Sequence, residues 1–308
     1  MFSEERLPKC EKEDSPQETE ETQTMFKIDK LKIYFLGLLL LSNGMIFYTV
    51  FAETRGGLLK VVFLDVGQGD AIFIESPTGN QLLIDGGPDK NITNVLSRVM
   101  PFYDKTIDVI LTTHPDQDHI GGIPEILKNY TVGEYIDSGA TSSTGTFKEL
   151  QNEIYQKNIK TEIARAGELI DLGGGAFLKI LYPVSDPKGS DTNEYSVVAK
   201  LYYGNSTFLF TGDAPADVEQ YLAYTVGIDL KSDVLKVAHH GSKNSLSPEF
   251  LSAVLPTYSV ISAGLDNRYS HPNKEIVDFL DSIDSNILIT FNLGDINFIS
   301  DGLTVENK

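Results

Sequence analysis

Cysteine is nearly absent: the 308 residues hold one, Cys10. No disulfide can form within the chain, and no thiolate metal site is expected. The cysteine-free remainder is compatible with export without demanding it. Basic residues are also scarce. Against 44 Asp and Glu stand 25 Lys and Arg, a formal charge of −19 at pH 7, and the residues after 52 keep −16 of it. Such a surface repels nucleic acid at long range, so tight non-specific duplex binding is not expected, and contact has to come from local neutralisation. Histidine numbers five and is confined to three stretches: His114 and His119, the pair His239–His240, and His271. Structural histidines scatter among elements, whereas ligands gather at strand ends.

One long stretch lacks charge altogether. Ile33 to Ala52 runs about twenty residues without a single charge, enough for a helix to span a bilayer. Lys27, Lys30 and Lys32 precede it, which puts the N-terminus in the cytoplasm and all that follows Ala52 outside. Residues 1–32 read as a disordered, acidic cytoplasmic tail, rich in Glu, Gln, Thr and Ser up to about residue 24. Val50-Phe51-Ala52 has the small residues of a signal-peptidase site. The segment 33–52 is therefore a single-pass membrane anchor, or a signal peptide that leaves a secreted protein after cleavage near Ala52. The 32-residue leader favours the anchor; a start at Met25 favours the signal.

From Leu58 onward the pattern is strand-dense and shows no linker, so 58–308 is expected to be one catalytic domain. Strands are predicted over 58–64, 71–75, 81–84, 109–113, 160–164, 177–181, 197–203, 207–211, 234–238 and 258–262, with hairpins over 286–299. Helices are predicted over 93–100, 123–130, 215–224 and from Pro248 and Pro272 onward. Thr146 and Glu149 read as a capping box for a further helix to about Lys157. Sheet then helix, twice over, implies two stacked sheets with helices outside and a site where strand ends of both halves meet.

The centre of the chain is Val109 to Gly122, VILTTHPDQDHIGG. An apolar strand ends in His114-Pro115-Asp116-Gln117-Asp118-His119, two imidazoles and two carboxylates within six residues. That is the ligand set first-row divalent metals accept. Pro115 keeps His114 extended, and Gly121-Gly122 lets the backbone turn into the next helix. Asp85 and Asp213 each end a strand hairpin and are candidate partners. Of His239 and His240, strand alternation lets one face the metals, and His240, beside the glycine, is the choice. His271 precedes a helix. Asn193, Ser196 and Ser242 are candidate substrate contacts. Asp65-Val-Gly-Gln-Gly-Asp70 resembles a phosphate loop only weakly and reads as a tight connection.

These stretches carry a resemblance. FLDVGQGDA (63–71), LLIDGG (82–87), THPDQDHIGG (113–122), LFTGD (209–213), VAHHGS (237–242) and VISAG…RYSHP (260–272) resemble, in order and spacing, the metallo-β-lactamase superfamily, and within it the extracellular hydrolase domain of the ComEC-like branch. The resemblance covers Lys60 to Phe279. It implies an α+β, four-layer αββα sandwich and a two-metal hydrolase site. The superfamily's second motif histidine is Asp116 here, as in the ComEC-like branch. No histidine lies between 119 and 239 to supply the third, and the resemblance puts the Asn193–Ser196 region in its place. On this reading His114 and Asp116 hold one metal, Asp118, His119 and His240 the other, and Asp213 bridges. Asp85 orients the loop, with His239 as the alternative ligand. Two ions, Zn²⁺ or Mn²⁺, ionise a shared water, Asp118 stands at the reacting centre and His271 protonates the leaving oxygen. The expected substrate is nucleic acid or another phosphodiester. Small esters, lactones or β-lactams are the alternative, and a non-catalytic metal- or partner-binding module is the third reading.

Overall fold

The computed structural model describes the backbone of residues 21–54 and 57–308, with side chains for 30–48 and 57–308. The disordered tail expected up to about residue 24 lies mostly outside the described residues, as do Cys10 and the side chains of the cleavage motif at Ala52. The chain divides between Thr54 and Arg55 into two units. Among the described residues of the first is one helix, α1 (Glu21–Thr54). Within it, Lys30–Tyr48 is long and apolar enough to cross a membrane, and its large apolar side chains are exposed. The helix takes in residues 21–32, which the sequence reading assigns to the tail.

The second unit is built of two sheets. Strands β1 (Leu59–Phe63), β2 (Ile72–Glu75), β3 (Gln81–Ile84), β4 (Thr106–Thr112), β5 (Thr131–Asp137) and β6 (Lys160–Ile163) follow chain order across the first sheet. Strands β7 (Leu169–Gly173), β8 (Ala176–Tyr182), β9 (Val198–Tyr203), β10 (Ser206–Phe210), β11 (Val234–Lys236), β12 (Tyr258–Ile261) and β13 (Asn286–Ile289) do so across the second. β14 (Ile296–Ser300) then returns to pair antiparallel with β1, and β15 (Val305–Asn307) closes that edge. The hairpin expected over 286–299 is therefore wrong: β13 and β14 belong to different sheets, and the closing hairpin is β14–β15. The sequence reading also lacks β5 and β7.

Alternation along the strands makes the layers. Leu59, Val61 and Phe63 of β1 point into the space between the sheets, while Val62 points at the helices. Because both faces are covered, such strands read as nearly continuous apolar runs. Between the sheets Phe63, Phe208, Phe210 and Phe298 pack ring against ring, with centroids about 6 Å apart. Outside the first sheet lie α2 (Ile92–Leu96), α4 (Ile123–Asn129) and α5 (Gly145–Gln156), with the short α3 (Gln117–Ile120) before α4. Outside the second lie α6 (Ala216–Thr225), α7 (Pro248–Val254) and α8 (Lys274–Asp281). The result is the expected four-layer αββα sandwich.

Two helix starts show how local chemistry sets boundaries. Ser247 caps α7, its hydroxyl accepting the Phe250 N–H, with Pro248 in the first turn. At α5 the expected capping box is displaced. Thr144 is the cap and accepts the Phe147 N–H; Thr146 instead donates to Gln117 Oε1, and Glu149 pairs with Lys128.

In both sheets the central strands run parallel, β3 beside β4 in the first, and β10 beside β11 and β11 beside β12 in the second. Their C-terminal ends therefore open on one edge, where loops can bring distant residues together.

Candidate metal centre

The loop after β4 is held by Asp85 at the end of β3. One Asp85 oxygen accepts the Thr113 N–H at 2.8 Å. The other accepts the Thr113 hydroxyl at 2.8 Å and lies 2.8 Å from His119 Nδ1. With its proton committed to Asp85, the Thr113 hydroxyl accepts from His114 Nδ1, 3.0 Å away. His240 Nδ1 sits 2.8 Å from the Ser262 carbonyl, which can only accept. All three rings thus carry a proton on Nδ1 and turn Nε2 inward, where each can give its lone pair to a cation that displaces any second proton. All three Nε2 atoms are buried and make no hydrogen bond, and neither does Asp213 Oδ1.

Those atoms converge on Asp213, just beyond β10. Asp213 Oδ1 is 3.3 Å from His119 Nε2. Its Oδ2 is 3.9 Å from His114 Nε2, 3.6 Å from His240 Nε2 and 3.7 Å from His239 Nε2. Asp118 Oδ2 stands 3.5 Å from His240 Nε2, and Asp116 Oδ2 3.9 Å from His114 Nε2. Gly212 permits this approach: at φ +52° it packs on Thr113, which a Cβ would meet at 2.9 Å. Buried lone pairs without donors are costly unless a cation takes them. Imidazole nitrogens and carboxylate oxygens within 4.8 Å of one another, as in His114–His119–Asp213 and Asp118–His119–His240, fit a divalent ion.

Burial and charge oppose each other here. Burial, reinforced by the neighbouring His119, pushes His114 down to about 4. Burial works the same way on His240, but Asp213 and Asp70 overcome it and raise that ring to about 9. Asp213, which burial alone would raise, is held well below the carboxylate range by His119 and His240.

The pair His239–His240 differs from the strand reading. β11 stops at Lys236, and both histidines have left-handed backbone, φ 50° and 55°. Both rings therefore reach Asp213, and strand alternation does not separate them. Burial does: His240 is buried, whereas the His239 side chain is 29% exposed and meets the His271 ring edge-on at 5.8 Å. His271 is lowered by burial and by His239 and His240. Asp116 is 44% exposed and accepts the Thr192 hydroxyl at 2.5 Å. Ser196 is buried and accepts the Asp213 N–H. Ser242 is buried, accepting the Asn244 N–H. Asn193 Oδ1 is buried without a partner.

Two residues of this centre escaped the sequence reading. Asp70, at the end of the supposed tight connection, is buried 3.5 Å from His240 Nδ1 and 4.0 Å from His119 Nδ1. Lys236, fully buried, pairs with it at 2.7 Å. Burial would raise the Asp70 carboxyl, but Lys236 and His240 hold it down. The available signal was a lysine inside the apolar run that leads to His239-His240. Gly69 brings this loop in: its Cβ would fall 2.2 Å from the Asp118 carbonyl, which accepts the Asp70 N–H.

A two-sheet sandwich with imidazoles and carboxylates gathered at its strand ends defines the class of metal-dependent hydrolases. Within that class the chain belongs to the metallo-beta-lactamase superfamily, whose profile matches residues 64–264. Among curated relatives, ComE operon protein 3 of Bacillus subtilis (strain 168) is 30% identical over 257 residues, 78% of this chain and 33% of that protein. Recombination protein 2 of Haemophilus influenzae is 32% identical over 253 residues, 80% and 30% of the two chains. The chain thus spans about a third of the length of these relatives. Among solved structures, the metallo-beta-lactamase fold protein YhfI from Bacillus subtilis shares the fold, with a TM-score of 0.51 at 13% identity over 75% of this chain and 95% of that one.

Proposed function

We propose that residues 58–308 form a phosphodiesterase or nuclease domain, tethered outside the cell membrane by residues 33–52 with the segment before them in the cytoplasm. His114 and Asp116 would hold one divalent ion and Asp118, His119 and His240 the other, with Asp213 within reach of both and His239 as the alternative ligand. When bound, Zn²⁺ or Mn²⁺ supplies water activation and takes up developing negative charge. Asp85 fixes the rings of the His114–His119 loop, and Ser196 steadies Asp213 from behind. Asp118, on the cleft side, positions the attacking water, and His271 hands a proton to the leaving oxygen.

The observation that carries this reading is the open cleft beside Asp118. Its walls are Gln68, Gln117, Asn267, Arg268 and Tyr269 with Pro88. A hydrolase of small esters, lactones or β-lactams needs a closed pocket over its metals; this cleft is open, and its one cation, Arg268, favours a charged, extended substrate. The test is cleavage of DNA, RNA and a simple phosphodiester by the full chain in detergent, loaded with Mn²⁺ or Zn²⁺. Cleavage that needs metal and falls at least a hundredfold in Asp118→Ala, with far-UV circular dichroism retained, is expected. Turnover of a chromogenic lactone with every phosphodiester left intact would overturn the reading.

A further inference from the structure

The cleft beside Asp118 encloses about 370 Å³, near the lower end for small-ligand sites. Among its lining residues Arg268 is the one cation and Asp118 the one anion. Most of its amide groups are already committed. Gln117 donates to the Pro88 carbonyl and accepts the Thr146 hydroxyl. Asn267 donates to the carbonyls of Gly264 and His271 and accepts the N–H groups of Tyr269 and His271. Gln68 Oε1 accepts the Gly264 N–H, while its Nε2 is buried without a partner. What the wall away from Asp118 still offers is a donor amide and a guanidinium.

The guanidinium is held in place. Arg268 Cζ lies 4.6 Å from the Tyr269 ring centre, and an Arg268 N–H donates to the Tyr269 hydroxyl. Tyr269 stacks in turn on His271, centroids 5.6 Å apart at 22°, and His271 abuts His239. Asn267 ties the loop that carries this ladder. A fixed cation and a free donor, in a fold of net charge −16, form a site for an anion other than the group at the metal centre.

We infer that Arg268 is a specificity-determining residue that binds the phosphate next to the scissile one, so that the site selects a nucleotide strand over an isolated diester. This rests on the phosphodiesterase reading. Gln68 Nε2 donates to the same phosphate, and Tyr269 keeps the guanidinium in register.

The experiment compares a thymidine dinucleoside monophosphate, which has no second phosphate, with the same dinucleotide phosphorylated at its 5′ or its 3′ end. The full-length protein is loaded with Mn²⁺ or Zn²⁺, and kcat/KM is measured for each. One phosphorylated form is expected to be preferred at least tenfold. In Arg268→Ala that preference falls towards one, chiefly through KM, and Arg268→Lys recovers part of it. Arg268 is exposed, so the variants fold. A wild-type ratio near one, or an undiminished ratio in Arg268→Ala, overturns the inference while the phosphodiesterase reading stands. No turnover of any of the three substrates overturns the inference as well, while the phosphodiesterase reading is decided by the DNA, RNA and simple phosphodiester assay.

Discussion

At the scale of single residues, the centre works by committing protons. Each of His114, His119 and His240 spends Nδ1 on a hydroxyl, a carboxylate or a carbonyl, and that choice alone turns Nε2 inward. The residue types and the strand-end setting of His114–His119 were legible in the sequence, as was Asp213. Asp85 was expected to orient this loop, and it does so through Thr113 and His119; the Ser262 carbonyl that fixes His240 was not expected, because it comes from another strand. Glu219 on α6 shows the same limit. It is buried, accepts the Ser247 N–H at 2.7 Å through one oxygen and leaves the other unbonded. Burial raises it to about 8. As pH rises from about 4.5 to about 8, the unfolded chain gives up this proton while the folded chain keeps it. Stability therefore falls through that window and levels off above it. Glu219→Gln should remove this slope: its melting temperature relative to wild type rises from pH 5 to pH 9. A difference that stays constant across that range would contradict the assignment.

At the scale of elements, the centre depends on loops that cross between sheets. Lys236, at the end of β11 in the second sheet, reaches Asp70 on the loop before β2 in the first, and Gly69 seats that loop on the Asp118 carbonyl. Removing one partner of a buried pair costs about 3–5 kcal/mol, because the other charge is left without compensation. Lys236→Met should lower denaturant stability on that scale, and the double variant Asp70→Asn with Lys236→Met should regain much of it. A double variant no more stable than Lys236→Met would show that the pair is not what the lysine supports. Element prediction succeeded where strands are apolar on both faces, as in β1, β3 and β10, and where a cap has local chemistry, as at Ser247. It failed at β7, an edge strand with little burial, and at β5, where Gly133 and Glu134 interrupt the pattern. It also failed at His239–His240, since nothing local announces two successive left-handed residues.

At the scale of the whole molecule, an acidic fold and an apolar helix shape what the protein can meet. The charge of −16 after residue 52 disfavours a duplex held along its length and suits one strand end gripped locally. The proposed anchor predicts that the full chain sediments with membranes, resists extraction by salt or alkali and is released by detergent. Release by salt alone would leave α1 without its proposed role. The sequence by itself determined the kind of chemistry, most of the strands and helices around the site, and the superfamily resemblance, because these reside in side-chain type and short-range spacing. Only the tertiary structure decided which nitrogens are free, that both His239 and His240 reach Asp213, and that Asp70 and Lys236 belong to the centre. Those facts are fixed by contacts between residues far apart in the chain, where burial and the nearest hydrogen-bond partner set protonation and direction.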